Sequence, residues 1–375
     1  MYRLDPVIRN YAWGSHTALA ELAGRPGPTA DPEAELWMGA HEEAPCGVRG
    51  ADGPTTLDRL IASDPVGMLG ETTVGQFQRR LPFLLKLLAP VQALSIQAHP
   101  SREEALTAPS GTYVDNWPKP EGWLAITPFE AFVGTLTFDE IASIATELEC
   151  RRFEKLVQDA PDVRHLLRSV LKADRADQRE LTDEVVAACA SRTDVPHFEA
   201  VHRVAAQFPG DVGAAVLLMM RHQIVPPGHY VFVPAGVLHA GVSGVAVEIL
   251  ANSDNVVRAG LTPKTINIDE LLRIVDTERA VLPEVPDGDR RLHSFPVDVP
   301  YFQLHQVLPG DEPIEVPGRH KPRIVLGLGG PITLDDGDRQ MHLGPAQSCF
   351  VPASIGRVTL HGQGTAYIAT TGLVG

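Results

Sequence analysis

One four-residue phrase occurs twice in this chain. Phe232-Val233-Pro234-Ala235 returns as Phe350-Val351-Pro352-Ala353, each time after a glycine-containing hairpin pattern. A repeat of that kind points to two copies of one β unit. The second copy carries its own hairpin signal. Ile324-Val325-Leu326-Gly327-Leu328 and Ile332-Thr333-Leu334 are strand-like, and Asp336-Gly337 is a turn pair. In the first copy Pro234 fixes φ, Gly236 permits a tight bend, and His239 starts the next strand pointing inward. The second copy has Arg357 five residues past its proline. The expectation is a duplicated barrel, with a metal in the first copy and none in the second.

A second segment supplies partners for His239. Leu94-Ser95-Ile96-Gln97-Ala98-His99 reads as a strand tail, ended by Pro100, which has no N–H to donate. Gln97 and His99 lie two residues apart and leave a strand on the same face. Glu121 follows in Lys119-Pro120-Glu121, after a connection containing Pro109, Ser110, Gly111 and Pro118. An amide oxygen, an imidazole and a carboxylate with an open position suit a catalytic zinc. The plain alternatives are an ordinary polar strand and a hydrogen-bonded core histidine at His239.

The 375 residues suggest two or three domains, and 44% hydrophobic composition is enough for a sizeable core. The formal charge of −15 argues against nucleic acid or an anionic membrane as partner, and no obligate protein partner is evident. No apolar run approaches the ~18 residues that a membrane helix requires. Cys46, Cys150, Cys189 and Cys349 are scattered without a disulfide framework or CxxC spacing, which fits a reducing cytoplasm. Neither a Gly-x-Gly-x-x-Gly fingerprint in a strand–helix setting nor a P-loop is present.

Texture divides the chain. Residues 1–138 are rich in Gly, Pro and short apolar runs, with a surface loop at 25–33. From 139 to 207 apolar residues recur at helical spacing, as in Ile141, Ile144, Ala145 and Leu148, which predicts about three helices. β character returns after Gly210, and one helix is expected over Asp269 to Thr277. The division is therefore a metal-binding domain of 1–138 and 208–281, a helical insertion of 139–207, and residues 282–375. The last comprise a proline-rich connector to about 322 and a second, metal-free barrel.

The spacing from Gly228 through Pro234-x-Gly236 to His239 matches the second motif of the cupin superfamily. Over most of its length the chain resembles type I mannose-6-phosphate isomerases (phosphomannose isomerases). The resemblance rests on Tyr11-Ala12-Trp13-Gly14, Glu35-Leu36-Trp37-Met38-Gly39-Ala40-His41, Pro82-Phe83-Leu84-Leu85-Lys86 and Leu94–Pro100. Its most specific element is Ser253-Asp254-Asn255-Val256-Val257-Arg258-Ala259-Gly260-Leu261-Thr262-Pro263-Lys264. It implies a mainly β fold with two cupin-like jelly-roll barrels and a helical domain. The implied activity is zinc-dependent interconversion of mannose 6-phosphate and fructose 6-phosphate. Carried onto this sequence, Gln97, His99, Glu121 and His239 bind one zinc ion per chain.

That chemistry moves a proton between C1 and C2 through a cis-enediol and needs a polarised carbonyl. Arg258 is the first candidate outside the metal shell, to clamp the phosphate or stabilise the enediolate; a structural ion pair with Asp254 or Glu248 is the alternative. Lys119 and Lys264 are candidates for phosphate or hydroxyl contacts, and Ser95 and Trp13 for substrate contacts. Glu248 and Asp254 compete for the general base, and either is also suited to orient a zinc-bound histidine. The resemblance departs at two points: Glu42 follows His41 where the family often has proline, which reads as surface variation, and the other bears on the chemistry. The family usually reads Asn-His-Lys-Pro-Glu before the zinc glutamate, whereas this chain has Trp117-Pro118-Lys119-Pro120-Glu121, so no proton transfer by that histidine applies. Two rival readings are another metal-dependent cupin enzyme, such as an oxygenase, and a non-catalytic sugar-phosphate-binding protein.

Overall fold

The strand Phe83–Leu88 is apolar on both faces, apart from Lys86, because it is covered on both faces. Its partners in a six-stranded sheet are Ala246–Ala251 on one side and Glu35–Met38 on the other. Phe83, Leu85, Leu87, Val247 and Ile249 point to one side and pack on Ile324, Leu326, Phe350 and Ala369. Leu88, Ala246 and Trp123 point to the other side and meet Phe129, Ala131 and Val133. The computed structural model describes the chain except residues 51, 52, 287, 289 and 373–375.

These two faces set the layering. A five-stranded sheet, containing Phe129–Thr135, His239–Ser243, Ile96–Ala98 and Val257–Gly260, closes the first sandwich over the six-stranded sheet. Its far face, with Ile96, Ala98, Phe132, Ala240 and Val257, is covered by the helical insertion. On the opposite side an eight-stranded sheet stacks against the six-stranded one, and a four-stranded sheet completes the second sandwich through Val325, Val351, Leu334 and Leu360. The fold is mainly antiparallel β, cupin-like, with a helical domain on one flank.

Several elements refine the sequence reading. The insertion holds five helices from Phe138–Glu147 to Pro196–Ala205, shorter and more numerous than the periodicity indicated. The helix expected over Asp269 to Thr277 runs Ile268–Ile274, with Asn267 accepting from the Glu270 amide at its start. The segment read as a connector contains three strands, Leu292–Ser294, Gln303–Val307 and Gly310–Glu315. The first strand, Tyr2–Asp5, pairs with Ser348–Val351, so the opening residues belong to the C-terminal sheet although the sequence division put them with the first barrel. In the second copy of the repeat the turn after Pro352 is tied by buried Arg323, which donates to the carbonyls of Pro352, Ile355 and Gly356. Arg357 is largely exposed and sits 3.5 Å from Glu315.

Candidate metal centre and active site

The register of three short strands assembles one end of the first sandwich. Gln97 is opposite His239 on one neighbour and opposite Arg258 on the other. Directly paired residues share a face, so all three line the interior. His99 comes one residue after that strand ends. Its carbonyl accepts from the Gly236 amide at 2.8 Å, which ties the two halves of the site together. Gly236 has φ of +80°, and a Cβ there would lie 2.6 Å from the Ile274 carbonyl oxygen, so only glycine fits the turn. Glu121 opens Glu121–Ala125 in the facing sheet.

The histidines are oriented by backbone oxygens. His99 Nδ1 is 2.7 Å from the Asn255 carbonyl and His239 Nδ1 is 2.9 Å from that of Val237. Those partners accept, so Nδ1 carries the proton and Nε2 presents a lone pair. Both Nε2 atoms face the Glu121 carboxylate, at 3.2 and 3.5 Å. The three groups lie within 4.8 Å of one another. His99 Nε2, His239 Nε2 and Glu121 Oε2 are buried and have no hydrogen-bond partner. Acceptors facing acceptors in a dry site are unfavourable without a shared cation. Burial and then the Lys119 charge push His99 down to about 4, against the pull of Glu121. Burial pushes Glu121 up, but Lys119, His99 and His239 outweigh it and hold the carboxyl well below its usual range. A neutral imidazole and an ionised carboxylate are the states that ligate a metal. Among the described residues this is the one cluster of histidines, cysteines and carboxylates able to hold an ion.

A charged row runs beside the cluster on the inner face of the six-stranded sheet. Lys86 Nζ lies 3.2 Å from Glu248 and 3.7 Å from Glu35. Trp123 Nε1 donates to Glu248 at 2.9 Å, and Trp37 Nε1 donates to Glu35. Burial alone would lower Lys86, yet Glu248, Glu35 and Glu121 raise it above the ordinary lysine range. Glu248 is raised, by burial first and by the like charges of Glu121 and Glu35, with Lys86 opposing. Asp254 is 3.3 Å from buried His41, and a hydrogen bond from that ring holds it below its usual range. Arg258 is half-buried and pairs with no carboxylate among the described residues, so the ion pair considered for it does not form.

A cavity of about 650 Å³ opens over these groups. Its wall contains Trp13, Ser95, Gln97, Lys119, Glu121, Glu248, Asp254, Arg258 and Lys264. Residues 1–136 match the family described as phosphomannose isomerase type I, catalytic domain. The mannose-6-phosphate isomerase of Escherichia coli (strain K12) is 33% identical, across 97% of this chain and 98% of that protein. The Bos taurus mannose-6-phosphate isomerase is 32% identical, across 88% and 85%.

This chain belongs to the type I mannose-6-phosphate isomerase family.

The solved structures agree. A mutant phosphomannose isomerase from Salmonella typhimurium superposes with a TM-score of 0.92 at 30% identity, covering both chains fully. A mannose 6-phosphate isomerase bound with zinc and yttrium gives 0.90 at 30% identity, again with full coverage of both. Of the residues singled out from sequence, Trp13, Ser95, Gln97, Lys119, Glu121, Glu248, Asp254, Arg258 and Lys264 line one cavity, and His99 and His239 are buried behind it against Glu121. Lys86, Glu35, Trp37 and His41 also line the cavity wall and had no assigned role. A lysine inside the apolar run Phe83–Leu88 was the available signal for the first of them. Pro118 is buried, and the adjoining loop is fixed by Asn255 Nδ2 donating to the Trp117 carbonyl at 2.8 Å. The Trp117 ring lies under the Arg80 guanidinium, 4.5 Å away.

Proposed function

We propose that the protein interconverts mannose 6-phosphate and fructose 6-phosphate in a reducing cytoplasm, with one zinc ion per chain held by Gln97, His99, Glu121 and His239. The carrying observation is the set of buried, unpartnered ligand atoms opening onto a cavity that also presents Lys119, Arg258 and Lys264. Gln97 supports the fourth position: its amide is in register with His239 and has no hydrogen-bond partner among the described residues. A bound zinc supplies Lewis acidity toward adjacent carbonyl and hydroxyl oxygens.

The protein groups supply the rest. Arg258, held across from Gln97 with no carboxylate to neutralise it, has its guanidinium available for the phosphate or the enediolate oxygens. Lys119, at 3.2 Å from Glu121, keeps that carboxylate ionised and offers a cation at the cavity wall. Glu248 is the better matched proton carrier between C1 and C2, because burial raises its affinity for a proton above that of an ordinary carboxylate, whereas that of Asp254 is lowered. Asp254, held ionised against His41, suits orientation of that ring. Lys264, Ser95 and Trp13 bound the space for the sugar phosphate.

The deciding assay is fructose 6-phosphate formation from mannose 6-phosphate, with chelator and with zinc restored. Turnover abolished by chelator and recovered with zinc supports the whole reading. No turnover by verified zinc-loaded protein rejects it, and makes Pro118 the first position to restore to histidine.

A further inference from the structure

The loop that carries Lys264 into the cavity does not hold its own shape. Leu261 has φ of +56° and the preceding Gly260 has φ of +155°. A leucine in the left-handed region is strained and persists only where neighbours impose it. The neighbour is Asp211, in the turn that links the helical insertion to the first barrel. Asp211 Oδ1 accepts from the backbone N–H of Leu261 at 2.9 Å and of Gly213 at 2.7 Å. Its Oδ2 accepts from the Thr262 N–H at 3.1 Å. The two backbones touch directly. A Cβ on Gly260 would stand 2.5 Å from the Gly213 Cα, and one on Gly213 would stand 2.8 Å from the Leu261 nitrogen. The clamp continues outward, as Thr262 Oγ1 accepts from the Lys264 N–H at 3.2 Å.

Leu261, Thr262, Pro263 and Lys264 all belong to the wall of the active-site cavity, as does Phe208 from the other side of the clamp. Asp211 does not; it faces a separate surface cleft with Arg175 and Arg179. We infer that Asp211 is a positioning residue, through which the helical insertion fixes the substrate-facing loop and thereby the affinity for the sugar phosphate. The inference rests on the isomerase reading and deepens it. A carboxylate suits the task because all three of its partners are N–H donors, and hydrogen bonds to a charged acceptor are the stronger kind. Losing the clamp frees Leu261 to relax and swings Lys264 from the wall. The metal ligands and Glu248 sit on other strands and are untouched.

The test compares Asp211→Ala and Asp211→Asn with the parent enzyme. In Asp211→Ala the KM for mannose 6-phosphate is expected to rise about tenfold, equivalent to about 1.4 kcal/mol, with kcat within about threefold and zinc content unchanged. Asp211→Asn keeps an acceptor oxygen but sets a donor against the Thr262 N–H, so a smaller rise is expected. Deuterium uptake at the 261 and 262 amides should increase in the same order. An unchanged KM alongside faster exchange overturns the inference, as does loss of zinc and kcat at constant KM. If Asp211→Ala does not fold, the asparagine variant carries the same comparison. A parent enzyme without turnover defeats the isomerase reading instead, while slow exchange at those amides still registers the clamp.

Discussion

At the scale of single residues, the site depends on lone pairs left without partners. His239 has no solvent exposure, and its Nδ1 is committed to the Val237 carbonyl, which leaves its Nε2 lone pair facing the Glu121 carboxylate without a donor. His239→Ala is expected to lose bound zinc and turnover together, read by metal analysis on the purified protein. Full occupancy with a normal rate removes His239 from the ligand set. Arg258 predicts the opposite combination. Arg258→Ala should keep its zinc and lose roughly a hundredfold or more in kcat/KM, the usual scale for a donor aimed at developing charge. An unchanged kcat/KM makes Arg258 structural. The sequence exposed these residues because their spacing follows strand parity, with Gln97 and His99 on one face and Glu248 inward between Val247 and Ile249. It hid the oxygens of Asn255 and Val237 that set both imidazole tautomers, since backbone acceptors carry no residue-type signal.

Between elements, a second buried polar cluster joins the helical insertion to the barrel. Glu130 on Phe129–Thr135 takes Arg203 at 2.6 Å from the helix Pro196–Ala205, His222 at 2.9 Å from Met220–Val225, and Ser243 at 3.1 Å from His239–Ser243. Burial pushes its carboxyl up, but the bonds from His222 and Arg203 outweigh it and bring it down to about 2. A depressed carboxylate stabilises the fold above its unfolded value near 4.5, and that stability is lost as pH falls toward 2. Because Arg203 is part-exposed, solvent screening cuts this contribution to about 1 kcal/mol. In metal-free protein, Glu130→Gln should therefore lower the urea midpoint at pH 7 and flatten its decline between pH 5 and 3. Parallel declines for parent and variant would place the acid sensitivity elsewhere. Neighbouring elements show why sequence patterns were only partly readable. The helices of 139–205 announce themselves through one apolar stripe each, but their boundaries are set by caps such as Thr137 with Glu140 and Asp174. Gly310–Glu315 buries almost nothing, so no alternation betrays it as a strand. Tyr2–Asp5 pairs with residues almost 350 positions away, which no local window contains.

For the molecule as a whole, the metal would act as a link between layers. Glu121 comes from the six-stranded sheet, whereas Gln97, His99 and His239 come from the five-stranded sheet and its margin, so a bound ion bridges the two walls of the first sandwich. Without the ion, the buried Nε2 atoms of His99 and His239 oppose the Glu121 carboxylate with no protein donor between them among the described residues. The folded state then bears an electrostatic penalty that the unfolded chain avoids by hydrating each group. Ligand binding to the native state alone adds RT ln(1 + [L]/Kd), which is about 2.7 kcal/mol at a hundredfold excess over Kd. Chelation should therefore lower the melting temperature of the parent, zinc should restore it, and the midpoint should climb with free zinc. His239→Ala should melt at one temperature irrespective of chelator, because a site that has lost this ligand is expected to hold no zinc. The second sandwich supplies the internal control. Its matching turn is tied by the guanidinium of Arg323 instead of by ligand side chains, so Arg323→Met should destabilise the protein while leaving the zinc-dependent increment in melting temperature intact. Equal melting temperatures for chelated and zinc-loaded parent would show that the three orphaned atoms find their relief without a metal, and the case for the centre would fall with them.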